Sequence, residues 1–150
     1  MSGKRILLTT AAVVAAIAVS AAAMTATEAI KDRQKDMEGI LDQMKTLAAI
    51  AKKQEPFDAA VVKNAATTIA DHLEKASKLF PEGSATGDVQ TWAKPEIWTD
   101  REHFDKLLEN AHQAAVELGS VTEAEAFPPA LGKLGNACKS CHDTFRLPKN

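Results

Sequence analysis

The 150-residue chain has no tyrosine, two tryptophans and five phenylalanines. It also has few β-branched runs, so material for a pleated, half-buried sheet is scarce. Cysteine is nearly missing: Cys138 and Cys141 are the only two. A structural zinc centre takes four ligands, usually from two such pairs. No second pair exists, and His72, His103 and His112 are too scattered to complete a site. An excess of one charge is lacking as well, with 18 basic against 20 acidic residues and a net charge of −2. No basic stripe stands out, which argues against a nucleic-acid partner. No nucleophile–base pair or paired carboxylate stands out either, so catalysis on an organic substrate is not expected.

What the chain does have is alanine, lysine, glutamate and leucine, a helix-forming composition, at a length that suits one domain with a real core. From Thr25 to about Lys53, apolar residues recur at Ala29, Ile30, Met37, Ile40, Leu41, Met44, Leu47, Ala48 and Ala51. That three-and-four spacing builds one buried helical face. Thr25-x-x-Glu28 makes a capping box at its start, and Glu55-Pro56 stops it. Asp58 is the N-cap of a second helix, with Val61, Val62, Ala65, Ile69, Leu73, Ala76 and Leu79 facing inward until Pro81-Glu-Gly-Ser. Residues 81–98 hold no period and read as a loop, pinned by Trp92, Ile97 and Trp98. Loops of such length tend to be functional.

A third helix is predicted from Thr99 to about Leu118, with Thr99-x-x-Glu102 as capping box and Gly119 as stop. Its stripe is Phe104, Leu107, Leu108, Ala111, Ala115 and Leu118. Thr122-x-x-Glu125 caps a short turn before Pro128-Pro129. The last helix is predicted to begin at Pro129, a favoured first position, and to stop before Pro148. It turns Leu131, Leu134, Cys138, Cys141 and Phe145 inward. Four amphipathic helices and one long crossing loop predict an all-α fold, an antiparallel four-helix bundle, in which cofactor sites form between facing helices.

Met1-Ser-Gly-Lys4-Arg5 is a short basic segment, and Ile6 to Ala23 is an Ala/Val-rich apolar run. This is the pattern of a secretory signal peptide cut near Ala23, leaving residues 24–150 as the mature domain. An uncleaved membrane anchor is the alternative: the run is long enough to span, but its Ala, Thr and Ser content makes it a weak one. A bacterial-style signal implies a periplasmic protein. Loss of Lys4 and Arg5 leaves 16 basic against 20 acidic residues, a mature net charge of −4.

The strongest motif is near the C-terminus, Cys138-Lys-Ser-Cys141-His142. Cys-x-x-Cys-His is the attachment signature of a c-type haem. Residues three and four apart share a helical face, so both cysteines reach the haem vinyl groups while His142, four on from Cys138, turns to the iron. A redox Cys-x-x-Cys would sit beside a βαβ pattern, which is missing here, and a structural disulfide across so short a loop would do little. The reading is one haem c, joined through Cys138 and Cys141 and ligated by His142.

Residues 24–150 resemble the class II cytochromes c, the family of cytochrome c′ and its low-spin c-556 relatives. The resemblance rests on Arg33-Gln-Lys-Asp-Met37 in the first helix, Pro95-Glu-Ile-Trp98 before the third, and the C-terminal Cys138-Lys-Ser-Cys141-His142-Asp-Thr-Phe145-Arg146. It implies a haem propionate near Arg33, Arg146 beside the proximal histidine, and Met37 facing the distal side. In the c-556 branch a methionine there binds iron. In the c′ branch the residue only packs, and iron stays five-coordinate and open to NO or CO. A thioether is a good soft ligand, and Met/His ligation raises the reduction potential, so Met37 is expected to be the second axial ligand. The stretches Leu79-Phe-Pro-Glu-Gly-Ser84 and Lys94-Pro-Glu-Ile-Trp98 also look more like c-556.

The expected function is therefore a periplasmic monohaem electron carrier serving redox protein partners. The alternative is a five-coordinate c′ that binds NO or CO, and a haem-free helical export protein is a third reading. The family often dimerises through its first two helices, where Lys45, Lys52 and Lys63 would have to be accommodated. Taken singly, the residues have plainer roles. Met37 and Met44 fill core, and His72, His103 and His112 are solvated or, on the distal face, alternative ligands. Arg33 and Arg146 join surface ion pairs, and Trp92 and Trp98 anchor the loop.

Overall fold

The computed structural model describes residues 24–148. The expected signal peptide, residues 1–23, and its anchor alternative lie outside them. Among the described residues no helix is long and apolar enough to cross a membrane. The elements are α1 (Ala26–Ala51), α2 (Ala59–Ser77), a single turn α3 (Glu96–Thr99), α4 (Arg101–Gly119), a 3-10 turn (Ala124–Ala126) and α5 (Phe127–Phe145). No strand occurs among the described residues beyond one isolated bridge, Ala93 to Arg146. Four long helices run up, down, up and down. Asp36 on α1 meets His72 on α2, Arg101 at the start of α4 meets the Ser77 carbonyl at the end of α2, and Lys133 on α5 meets Glu117 on α4.

The first two helix starts form as their sequences dictate. Thr25 Oγ1 accepts from the Glu28 amide at 3.2 Å, and the Glu28 carboxylate takes the Thr25 amide at 2.9 Å. Both reduce the set of unpaired N–H groups at the helix end. The Asp58 carboxylate accepts from the Ala60 and Val61 amides. These bonds to Thr25 hold the Glu28 carboxyl below its usual 4.5. A depressed carboxyl contributes above its ordinary value and loses that contribution as pH falls through the folded value. Protection of the α1 N-terminal amides, measured against their intrinsic exchange rates at each pH, is therefore expected to fall below pH 4.5, while the α2 and α4 core amides keep theirs.

Three boundaries differ from expectation. The Thr99–Glu102 capping box does not form: Thr99 still belongs to α3, and its hydroxyl turns back to the Glu96 carbonyl at 3.5 Å. Asp100 is the junction instead, without a side-chain cap, its carboxylate against His103 at 3.2 Å. Thr122 caps nothing, because Glu123 holds the N-cap position of the 3-10 turn. The last helix begins at Phe127, not Pro129. Both prolines fit in its first turn, where a missing N–H leaves no bond unmade.

The core runs along the predicted stripes, from Ala29, Ile30 and Leu47 through Val62 and Ile69 to Ala115, Leu118 and Leu134. Leu41 and Val61, read as inward, are instead 54% and 40% exposed. Leu134 is fully buried, so Leu134→Ala should lower unfolding free energy by about 2–5 kcal/mol, measurable by denaturant titration. Helices α1 with α2, α2 with α4 and α4 with α5 pack closely, whereas α1 barely touches α5. The bundle is open along that fourth seam.

Candidate haem site

A cavity of about 450 Å³ fills the open seam, within the ~300–1,000 Å³ typical of ligand sites. Met37 and Leu41 line it from α1, Phe104 and Leu108 from α4, and Cys141 and His142 from α5. The long loop closes one end. It leaves α2, crosses the N-terminal half of α1, where Thr27 meets Asp88 and the Gln34 amide donates to the Gln90 carbonyl at 2.7 Å, and then reaches the end of α5. There Lys94 and Phe145 join through their backbones at 3.0 Å, and Leu147 donates to the Trp92 carbonyl at 2.7 Å. Lys94 Nζ also caps the Asp143 and Thr144 carbonyls, a cation at the carbonyl end of a helix. This clip holds the turn that carries His142.

Arg33 is the loop's other fastening, and sequence reasoning placed it differently. Read alone, it was a surface residue beside Glu28 or Asp32; the structure buries it to 4% exposure. Its two terminal nitrogens donate to the Leu79 carbonyl, both oxygens of Ser84 and the Thr91 hydroxyl, at 2.9–3.4 Å. Its guanidinium lies 4.9 Å from the Phe80 ring centre and 5.6 Å from that of Trp98. Burial pushes its pKa down to about 10, still charged at neutral pH. Arg33 lines the cavity too, but its terminal nitrogens serve the loop. Trp98 anchors that loop as expected, donating to the Pro81 carbonyl at 2.9 Å. Trp92 does more than anchor, because its side chain reaches the cavity wall.

The remaining expected residues separate cleanly. Arg146 is exposed at the cavity rim next to His142, and Met44 packs against the core without lining the cavity. His72, His103 and His112 are not on the cavity wall. His72 is also not solvated: it is half-buried against Asp36. The Lys94 clip and the Ser84–Thr91 seat of Arg33 were not legible, since both join residues about fifty positions apart in an aperiodic loop.

The donor set fits a covalently held haem. Two thiols and an imidazole lie within one turn and a half of α5: Cys141 and His142 line an apolar cavity with the Met37 thioether on another wall, and Cys138, one turn before His142, packs against the core. Both cysteines are unpaired as thiols. Burial pushes Cys141 up to about 11, assisted by neighbouring Cys138, and raises Cys138 as well. Reactive redox pairs show the reverse, a lowered thiol pKa. Among the described residues no group of three or more His, Cys, Asp or Glu is placed to hold a metal ion.

A bundle with an apolar inter-helix cavity and a Cys-x-x-Cys-His turn on its last helix defines a class, the four-helix-bundle c-type haem proteins. A sequence model of the cytochrome c′ family matches residues 28–146. The cytochrome c′ of Rhodopseudomonas palustris is 38% identical over 130 residues, covering 85% of this chain and 88% of that protein. The cytochrome c-556 of Agrobacterium fabrum is 37% identical over 134 residues, with 86% and 88% covered. A solved cytochrome c′ of Rhodopseudomonas palustris superposes with a TM-score of 0.76 at 34% identity, covering 81% of this chain and 98% of that one. Another cytochrome c′, described as having an unusual ligand-controlled dimer dissociation, gives 0.76 at 32% identity, with 85% and 100% covered. The chain belongs to the class II cytochrome c family. It is a monohaem protein with covalently attached haem c, and not an enzyme.

Proposed function

We propose that this protein is a periplasmic single-electron carrier of the c-556 kind, exported by cleavage near Ala23, with His142 and Met37 as axial ligands. One observation carries the reading: Met37 lines the cavity from α1 while His142 lines it from α5, and among the described residues no other histidine or methionine does. When bound, the haem supplies a one-electron ferric/ferrous couple. His142 and Met37 would hold the iron with the same two ligands in both states, which would keep reorganisation small, and Met/His ligation would set a high potential. Phe80, Ile97, Phe104, Leu108 and Phe145 give the cavity an apolar lining, which would shield a bound haem from water and tune the potential further. Trp92, Leu41 and Arg146 at the rim form the surface available to a redox protein partner.

The five-coordinate reading has one observation in its favour, that relatives called cytochrome c′ and cytochrome c-556 are about equally similar to this chain. In that reading Met37 packs over an open iron site that takes NO or CO, and ligand binding and dimerisation are linked as described for the solved relative. An optical spectrum of the purified holoprotein, ferric, ferrous and ferrous under CO, separates the two. A weak far-red sulfur-to-iron band with no response to CO is expected. A high-spin ferrous spectrum that shifts under CO would replace the carrier by the gas-binding reading.

A further inference from the structure

A second cross-link lies one residue from Met37 and outside the cavity. Asp36 and His72 join α1 to α2 at 2.8 Å, with His72 Nδ1 donating because a carboxylate can only accept. Both side chains are well shielded, 13% and 23% exposed. The imidazole lies directly against the backbone of α1 at Gly39. A methyl group on Gly39 would come within 2.5 Å of His72 Nε2 and 2.8 Å of its Cε1, closer than side-chain carbons and ring atoms ever sit. Asp36 and Gly39, one turn apart, thus form a notch that receives the ring, and Met37 lies between them in sequence, on the cavity wall.

Such a notch matters because α1 barely touches α5 and is held in the bundle chiefly by α2, so the reach from Met37 to the haem helix is set by what ties α1 to α2 and to the loop. Arg33 and Gln34 tie it to the loop one turn earlier. At the level of Met37 itself, α1 is held by Ile40 in the apolar core and by one polar tie, Asp36 to His72.

We infer that His72, seated between Asp36 and Gly39, is a positioning residue that holds the Met37 sulfur within bonding reach of the iron. The inference rests on Met37 ligation. Loosening the seat lets α1 draw away, and the cost falls on the iron–sulfur bond because a coordinate bond tolerates little displacement. The outcome is a larger fraction of molecules with an open iron site, although no cavity residue has changed.

The test uses the holoprotein in six forms: wild type, His72→Ala, His72→Asn, Gly39→Ala, Met37→Ala, and Met37→Ala combined with His72→Ala. Asparagine keeps a donor near the position of Nδ1, whereas alanine at position 39 expels the ring. The readouts are the ferric sulfur-to-iron band, the reduction potential and CO affinity. His72→Ala and Gly39→Ala should weaken the band, lower the potential and raise CO affinity about tenfold, because apparent affinity scales with the open fraction. His72→Asn should restore most of the band, and in the Met37→Ala background His72→Ala should change none of the three. A wild-type band left intact by both His72→Ala and Gly39→Ala would overturn the inference while leaving Met37 ligation standing. No band in the wild type would remove both. A fall in thermal stability with unchanged band and CO affinity would reduce the cross-link to a structural role and count against the inference.

Discussion

Met37→Ala is expected to convert the holoprotein from low spin to high spin and to raise its CO affinity by about a hundredfold or more. A gas admitted only to an open fraction of about 1% loses that factor in apparent affinity, and removing the competing thioether returns it. The reduction potential should fall together with the lost sulfur, since Met/His ligation is what raises it. Met37 is partly buried and packs against the core, so the same substitution also forfeits some apolar contact. That packing loss would appear in thermal stability alone. If Met37 only packs, the wild type already binds CO and the variant differs from it mainly in melting temperature. Spectra and CO titration of the two proteins side by side give the answer.

Arg33→Ala is the second large effect, expected to cost about 3 kcal/mol of stability. Hydrogen bonds to a charged group contribute ~1.5–3 kcal/mol each, and a buried acceptor stripped of its donor costs about 1–3. Arg33 has four such bonds into the loop, two of them to backbone carbonyls, as well as its position over the Phe80 and Trp98 rings. The gain is partly offset by the cost of taking the cation out of water, which keeps the total well below a simple sum. Arg33→Lys should recover less than half of the loss, since an ammonium cannot span Leu79, Ser84 and Thr91 in one planar fork. Denaturant titration of the holoprotein measures both. Proteolysis should follow the same order, because Arg33 holds the segment from Leu79 to Thr91 at more points than Thr27, Gln34 or Trp98 does, and cleavage within it should appear first in Arg33→Ala.

The two variants separate what the sequence states from what it conceals. Helix content was legible because each long helix repeats its apolar residues at three and four, and that repeat is a local property. The haem motif was legible for the same reason: Cys138, Cys141 and His142 fall within one turn and a half of a single helix. Met37 was legible only through resemblance, since a methionine on an apolar stripe is ordinarily core. The helix starts failed where two local signals competed. At Thr99 the capping-box pattern lost to a preceding helical turn that had already taken the hydroxyl. At Pro129 the proline pair marked the first turn correctly but not the residue that opens it.

By itself, then, the chain determined its four helices, the stripes that face inward, and the turn of α5 that carries two thiols and an imidazole. Tertiary structure decided the rest. It left the α1–α5 seam open as a cavity, brought Met37 to the wall opposite His142, and withdrew the other three histidines from it. It turned Arg33 from a surface cation into the buried fastening of a loop, and seated His72 in a notch that exists only because residue 39 lacks a side chain. The physical reason is common to all of these. Periodicity and motif spacing act over one or two helical turns, whereas the cavity, the fastening and the notch join residues between about thirty and a hundred positions apart, which only packing brings together.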